Sequence, residues 1–201
     1  MEITVDLETT AIDANAGVMQ IAAVAWERYG DKFEVVEEFN QGIDLRDLFS
    51  RKEEFTFDNG TAEWWGKQSD EAHRAMLSTQ ADLLVDAVNN FSSWIVDIYN
   101  EHPDNGIHIW AQGAAFDMPK LQHLFAVVFK KTPWPYNAVR CARTYALEAA
   151  DLLGLPEAKD IYKRYQELSA EGAPHDALFD AKRTAYTTWN VMRELREKVR
   201  G

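Results

Sequence analysis

The sequence lacks features that would mark several classes of protein. Cys141 is its only cysteine, which excludes intramolecular disulfides and zinc sites built from several cysteines. No apolar run reaches the roughly 18 residues of a membrane span. The chain opens directly on an alternating pattern, without a basic start and an apolar signal core, and we therefore expect a cytoplasmic protein that does not enter a membrane. Repeats and Gly/Ser linkers are also missing, so we expect one domain over residues 1–201.

Basic residues are scarce as well. The chain has 21 Lys and Arg against 33 Asp and Glu, a formal net charge of −12. A negative field slows the approach of a polyanion, which argues against a nucleic-acid partner. Bound divalent cations would reverse the local charge and weaken that objection. We therefore expect weak, salt-sensitive binding of short or single-stranded ends rather than of long duplexes.

Hydrophobic periodicity predicts an α/β protein with a mixed sheet. Three strands come first and are expected to pair antiparallel; later strands alternate with helices. The predicted strands cover residues 2–7, 20–29, 33–39 and 107–111, and residues 138–141 are expected to form a fifth strand or a turn. The predicted helices cover residues 44–50, 81–99, 117–130, 156–171 and 176–199, and a further helix follows residue 141 and ends at residue 153. Two short helices are predicted to be capped by Thr61 and by Ser69.

Asp6 and Glu8 stand two residues apart in the first predicted strand. Residues at that spacing project from the same face of a strand, while Leu7 points into the core. Two carboxylates on one face repel each other unless a cation lies between them. A solvated strand face explains the pair equally well when it is considered alone.

Asp117 follows a predicted buried strand and stands near the start of a helix, where a carboxylate interacts favourably with the helix N-terminus. A plain helix cap is the competing interpretation. The small residues at 113–115 favour a site, because they let a substrate or metal approach the backbone closely.

His175 and Asp180 are five residues apart. In one helix their side chains would diverge by roughly 140°. They converge only if His175 lies on a loop before the helix, a placement supported by Gly172 and Pro174, with Asp176 as a candidate cap. A loop histidine suits a general base, although an ordinary surface histidine has the same local sequence.

Together these motifs resemble those of the DEDDh (DnaQ-like) family of 3′–5′ exonucleases. Asp6-Leu7-Glu8-Thr9 is similar to its first motif, Phe116-Asp117 to its second, and His175 with Asp180 to its third, His-x4-Asp. The sister branch has a tyrosine where Asp176 stands here. The segment 61–69, with Trp64 and Trp65, resembles the small stand-alone phage and bacterial exonucleases of the exonuclease A and 3′–5′ exoribonuclease type. The chain departs from the family at 141–144, where an Asp-Thr is common, and over 154–172, which has no clear counterpart.

The resemblance implies an RNase H-like fold in which two Mg²⁺ or Mn²⁺ ions are bound by four carboxylates: Asp6, Glu8, Asp117 and Asp180. Hard oxygen ligands suit those ions. It implies that His175 takes a proton from the attacking water, and that Glu8 and the Thr9 backbone meet the terminal 3′-OH. Related small exonucleases are often dimers, so a homodimer through the Trp-rich helices is also compatible with the resemblance.

Other residues have two interpretations each. Trp64 and Trp65 either stack on the terminal base or anchor the core. Lys120, Arg140 and Arg143 are candidate phosphate contacts, but on an acidic protein surface ion pairs are the simpler expectation. Phe116, beside the site, is expected to pack inward.

The resulting expectation is a metal-dependent exonuclease that releases nucleoside 5′-monophosphates from the 3′ end of single-stranded DNA or short RNA. One alternative is a catalytically silent nuclease-fold module that binds nucleic-acid ends or a partner protein. Another is a metal-dependent hydrolase of a different phosphate ester. The sequence does not distinguish DNA from RNA, because the contacts to a 2′-OH cannot be placed.

Overall fold

The structure is a computed structural model that describes residues 1–103, 106–157, 159–165 and 174–200. It contains strands and helices in alternating groups, named here in chain order. The strands are β1 (Glu2–Thr9), β2 (Val18–Trp26), β3 (Val35–Ile43), β4 (Ala81–Asp82), β5 (His108–Ala111) and β6 (Val139–Cys141). The helices are α1 (Leu45–Ser50), α2 (Asn59–Trp65), α3 (Asp70–Ser78), α4 (Leu84–Glu101), α5 (Ala114–Val127), α6 (Ala142–Leu153), α7 (Asp160–Arg164) and α8 (Ala177–Arg200).

The described strands form one mixed sheet in the order β4-β3-β2-β1-β5-β6. Strands β1, β2 and β3 are antiparallel neighbours, whereas β5 runs parallel to β1 and β6 parallel to β5. The predicted order of three antiparallel strands followed by parallel strands is confirmed. The two-residue strand β4, which pairs parallel to β3, was not predicted because so short a segment has no periodicity of its own.

The two faces of β1 serve different layers of the molecule. Ile3, Val5 and Leu7 are buried in a core formed with α4 and α5. The even-numbered residues face the other layer, where α8 packs across β1 and β2. Alanines spaced one turn apart let α8 approach the sheet closely: Ala177, Ala181 and Ala185. The alternation predicted for β1 therefore holds, and it carries Asp6 and Glu8 to the side of α8.

Several element boundaries differ from the predicted ones. Asp58, not Thr61, caps α2, because its carboxylate accepts a hydrogen bond from the Thr61 N–H at 2.7 Å. Ser69 caps α3 as predicted, accepting from the Ala72 N–H. Strand β1 extends to Thr9 and so includes the whole first motif.

The long helix and the predicted insertion also differ. Helix α4 begins at Leu84 rather than Ala81, since two of the preceding positions belong to β4. Of the predicted helix over 156–171, only Asp160–Arg164 is helical among the described residues, and positions 166–171 lie outside them. In the described part of the chain, every helix is too short or too polar to cross a bilayer.

Candidate active site

Three carboxylates converge at the end of β1. Oxygen atoms of Asp6, Glu8 and Asp180 all lie within 4.8 Å of one another. The first two project from one face of the strand, and Asp180 reaches them from the first turn of α8. Residues from opposite ends of the sequence thus form one acidic group.

Asp117 stands beside this group rather than within it. It is buried in the first turn of α5, which follows β5 and begins after Gly113. Its negative charge still acts on Asp6 and Glu8. All four acids predicted from the sequence therefore share one region, with Asp117 on the β5 side.

The pKa values of these acids rise strongly. Burial raises the pKa of Asp6 well above its usual range, and the charges of Asp117, Glu8 and Asp180 add to the effect, while Arg183 opposes it. Burial and neighbouring acids, Asp180 first, raise the pKa of Glu8 to about 8. Burial raises the pKa of Asp117 to about 6, against the opposing charges of Lys120 and Arg143. The protein alone does not compensate these charges.

Hydrogen-bond donors are unevenly distributed in the group. Asp180 accepts the His175 backbone N–H at 3.0 Å and pairs with the Arg183 guanidinium at 2.8 Å. No residue in the described ranges donates a hydrogen bond to the side chain of Asp6 or Glu8. Uncompensated carboxylate oxygens grouped in this way fit a hard divalent cation such as Mg²⁺ or Mn²⁺.

His175 lies in a turn ahead of α8, where the five-residue spacing predicts it. Its backbone is in the left-handed region, with φ of +68°, and its N–H is tied to Asp180. Such a conformation costs on the order of 1–3 kcal/mol in a residue other than glycine. The hydrogen bond therefore fixes the position of His175 relative to the acids. Its ring meets the edge of Trp64, with ring centroids 4.8 Å apart.

The acids open into a cavity of about 620 Å³. Its lining combines acidic and other polar side chains with large apolar ones. The lining residues are Asp6, Leu7, Glu8, Thr9, Ala11, Ile12, Asp58, Gly60, Thr61, Trp64, Trp65, Phe116, Arg143, His175 and Asp180. The predicted site residues, Asp117 apart, all line this one cavity.

The two tryptophans have different environments. Trp65 is buried, and its Nε1 donates to the Thr9 carbonyl at 3.2 Å. Trp64 is 42% exposed and leans on both Trp65 and His175. Thr9 is itself buried, and its hydroxyl donates to the Ala11 carbonyl at 3.0 Å. Trp64 is therefore the tryptophan whose ring is open to a ligand, and Trp65 supports the strand end.

Some expectations for the surroundings are wrong. Phe116 does not pack inward but is 41% exposed at the cavity. Lys120 is buried and donates to the Ile12 and Phe116 carbonyls, each at 3.0 Å. Arg140 donates to the Asn137 and Val139 carbonyls at 2.7 and 2.9 Å.

Arg143 and Arg183 flank the acids. A surface ion pair is the simpler expectation for Arg143 from the sequence, yet this arginine lines the cavity. Arg183 was missed, although its position one helical turn after Asp180 is the available signal, since residues three apart are neighbours on a helix.

Comparison with known proteins agrees with this geometry. The sequence profile of the 3′-5′ exoribonuclease Rv2179c-like domain matches residues 1–192. An exodeoxyribonuclease of Enterobacteria phage T4 is 29% identical over 126 residues, which are 61% of this chain and 55% of the phage protein. The match thus spans about half the length of that relative.

Solved nucleases share the fold. The nuclease domain of 3′hExo, a DEDDh family member solved with rAMP, has a TM-score of 0.61 at 13% identity, over 96% of this chain and 92% of that one. Cell-death related nuclease 4 has a TM-score of 0.63 at 17% identity, over 96% of this chain and 64% of that one. The predicted RNase H-like architecture is confirmed. The chain belongs to the family of Rv2179c-like 3′-5′ exoribonuclease domains.

Proposed function

We propose that this protein is a two-metal exonuclease that releases nucleoside 5′-monophosphates from the 3′ end of single-stranded DNA or short RNA. The observation that carries the proposal is the group of three carboxylates within 4.8 Å, supplied by β1 and α8. The rAMP bound to 3′hExo, a nucleoside monophosphate, supports the class of product. The recognition of an RNA 3′ end by a structurally similar 3′-exonuclease supports the class of substrate.

Asp6, Glu8, Asp117 and Asp180 are the proposed ligands of two Mg²⁺ or Mn²⁺ ions. When bound, such ions activate a water and stabilise the leaving 3′ oxygen of the phosphodiester. The four acids are spread over β1, α5 and α8, so ion binding also couples the sheet to helices on both of its faces. The Arg183 guanidinium holds Asp180 in place through their ion pair.

His175 is the proposed general base. It lines the cavity together with Asp6, Glu8 and Asp180, and its backbone hydrogen bond to Asp180 sets its position. In that place the imidazole takes the proton of the attacking water and later releases it to solvent. Trp64 limits the movement of the ring by contacting it edge-on.

The restriction to chain ends follows from the wall of the cavity. Trp65 and Thr9 close the end of β1 through their hydrogen bond. We place the terminal 3′-OH against Glu8 and the Thr9 backbone, and the terminal base on the exposed face of Trp64. Stacking of a base on an aromatic ring contributes about 1–3 kcal/mol. A continuous strand has no free 3′-OH to place there.

A 5′-labelled single-stranded oligonucleotide tests the activity. With Mg²⁺ or Mn²⁺ the wild-type protein should give a ladder shortening from the 3′ end, with nucleoside 5′-monophosphates as product. Asp180→Asn should give none. Asp97→Asn is the matched control, because this exposed acid lies on α4, on the opposite face of the sheet. Wild-type digestion by Asp180→Asn would overturn the proposal.

His175→Ala tests the proposed base separately. Loss of a general base lowers a rate by about 10²–10⁴-fold. The metal-induced rise in melting temperature should persist in this variant, since His175 contributes no proposed ligand. An unchanged turnover number in His175→Ala would remove the histidine from the mechanism and leave the metal site in place.

A further inference from the structure

Arg143 occupies an unusual position for a cation in this chain. It stands in the first turn of α6, directly after β6, and its backbone N–H donates to the Gln112 carbonyl at 3.2 Å. Its guanidinium lies over Gly113: a Cβ atom at that glycine would be 3.5 Å from Arg143 Cζ and both Nη atoms. The arginine side chain therefore lies in van der Waals range of the turn that leads to Asp117.

Among the described residues, no carboxylate lies within ion-pair distance of the Arg143 guanidinium, although its charge acts on Asp117 and opposes the rise in that acid's pKa. In the same part of the chain, the guanidinium forms no side-chain hydrogen bond. The other cations near the acids are engaged: Lys120 with backbone carbonyls, and Arg183 with Asp180. An exposed arginine that lines the cavity and keeps its planar set of donors free is suited to a phosphate.

The position of Arg143 indicates which phosphate it contacts, given the function proposed above. The terminal nucleoside is placed at the Thr9 end of β1, beside Trp64, and the scissile phosphate at the acids. Arg143 stands on the opposite side of the acids, past β5 and next to Gly113. With the terminal nucleoside placed as above, the rest of the nucleic-acid chain would extend toward this side. We propose that Arg143 binds the phosphate one nucleotide upstream of the scissile bond.

This assignment predicts a preference among the shortest substrates. A dinucleotide without a 5′-phosphate contains only the scissile phosphate, whereas a 5′-phosphorylated dinucleotide also carries the upstream one. The wild-type protein should cleave the phosphorylated dinucleotide with the higher kcat/KM. Charged hydrogen bonds of this kind correspond to a difference of about 10- to 100-fold.

The test compares Arg143→Ala, Arg143→Lys and a control on both dinucleotides. Arg140→Ala is the control, because that arginine stands three residues earlier and donates to carbonyls outside the cavity. Arg143→Ala should lose about 10- to 100-fold in kcat/KM on the phosphorylated dinucleotide only. Arg143→Lys should lose less, since it keeps the charge but not the fork of donors. Arg140→Ala should behave as wild type on both.

Two further readouts separate phosphate binding from support of the Gly113 turn. Replacing the upstream linkage of a trinucleotide by an uncharged methylphosphonate should remove the effect of Arg143→Ala. The slope of log kcat/KM against log salt should also become shallower by about 0.7 in that variant, as for one lost contact to a single strand.

Each outcome has one meaning. Equal losses by Arg143→Ala on both dinucleotides, or none on either, would overturn the role of Arg143 while leaving the exonuclease proposal standing. A wild-type protein that cleaves no oligonucleotide with Mg²⁺ or Mn²⁺ would instead overturn the proposed function itself.

Discussion

The buried acids at the two ends of β1 differ in the hydrogen-bond donors and charges that surround them. Glu2 begins the strand and Glu8 nearly ends it, and both lie on the face turned toward α8. Glu2 is 1% exposed and is surrounded by donors: Trp110 Nε1 donates to its carboxylate, His108 Nδ1 lies 3.1 Å away and Arg28 Nε 3.4 Å away. Its charge is compensated entirely within the protein.

Asp6 and Glu8 have the contrary environment. They face Asp180 and, further off, Asp117, and burial with mutual repulsion raises the pKa of both acids. A buried carboxylate with a structural role is surrounded by partners, as Glu2 is. Carboxylates grouped without donors are the arrangement that a bound cation would compensate, and the proposed function assigns the metal site to this end of the strand.

The largest effect should come from Asp6→Asn. Removing one grouped acid should lower exonuclease activity by at least about 10²–10³-fold, the range for losing one group that stabilises transition-state charge. The same change removes repulsion, so the metal-free protein should melt at a higher temperature than wild type. A nuclease assay and metal-free thermal unfolding check both outcomes, and a lower melting temperature would contradict the repulsion inferred among the acids.

The second effect concerns pH. The pKa of Glu8 rises from 4.5 to about 8 and that of Asp117 from 3.8 to about 6 on folding. The folded state therefore binds more protons than the unfolded state in this window, and the free energy of unfolding falls as pH rises through it. A tenfold change in the affinity for a proton corresponds to about 1.4 kcal/mol. Denaturant unfolding of metal-free protein from pH 4.5 to pH 8 should show this loss.

A saturating divalent cation should flatten that profile, because ionised acids are then compensated. Asp6→Asn should reduce the slope even without metal. A free energy of unfolding that rises with pH over the same window in the metal-free wild type would contradict this prediction.

Glu2→Gln should produce the inverse pattern of Asp6→Asn. Leaving Arg28 without its buried partner should destabilise the fold by about 3–5 kcal/mol. Activity per folded molecule should stay at the wild-type level, since Glu2 lies at the far end of the strand from the acids. Urea unfolding measures the stability, and a nuclease assay normalised to the folded fraction measures the activity. A Glu2→Gln variant that is stable but inactive would contradict the proposed difference between the two ends of β1.

The smallest effect extends the same comparison to the tryptophans. Trp64 is open like the grouped acids, whereas Trp65 is engaged with the Thr9 carbonyl like Glu2. Trp64→Ala should weaken oligonucleotide binding by about 1–3 kcal/mol without changing the melting temperature. Trp65→Ala should instead lower stability, as large-to-small changes in a core do. Fluorescence titration and thermal unfolding distinguish the two variants.

Local patterns were sufficient for much of the site. Alternation in β1 predicted that Asp6 and Glu8 share a face away from the core, and helical geometry predicted that His175 precedes α8. Both predictions rest on the side-chain periodicity of a strand or a helix, which depends only on residues close together in the sequence.

Features that depend on distant residues were not predictable in this way. Phe116 is exposed because of where α5 meets the cavity, and Arg143 lines that cavity because β6 pairs with β5 and so brings the first turn of α6 beside Gly113. The cap at Asp58 was overlooked because Thr61, three residues later, is also a residue type that caps helices.

A Mn²⁺ titration of metal-free protein by calorimetry tests the proposed metal centre most directly. Two ions should bind per chain, with proton release at pH 7 from acids whose pKa is raised, and binding should be lost in Asp180→Asn but not in Asp97→Asn. Equal Mn²⁺ binding by the wild type and Asp180→Asn, or no binding by either, would contradict a metal site built from these acids.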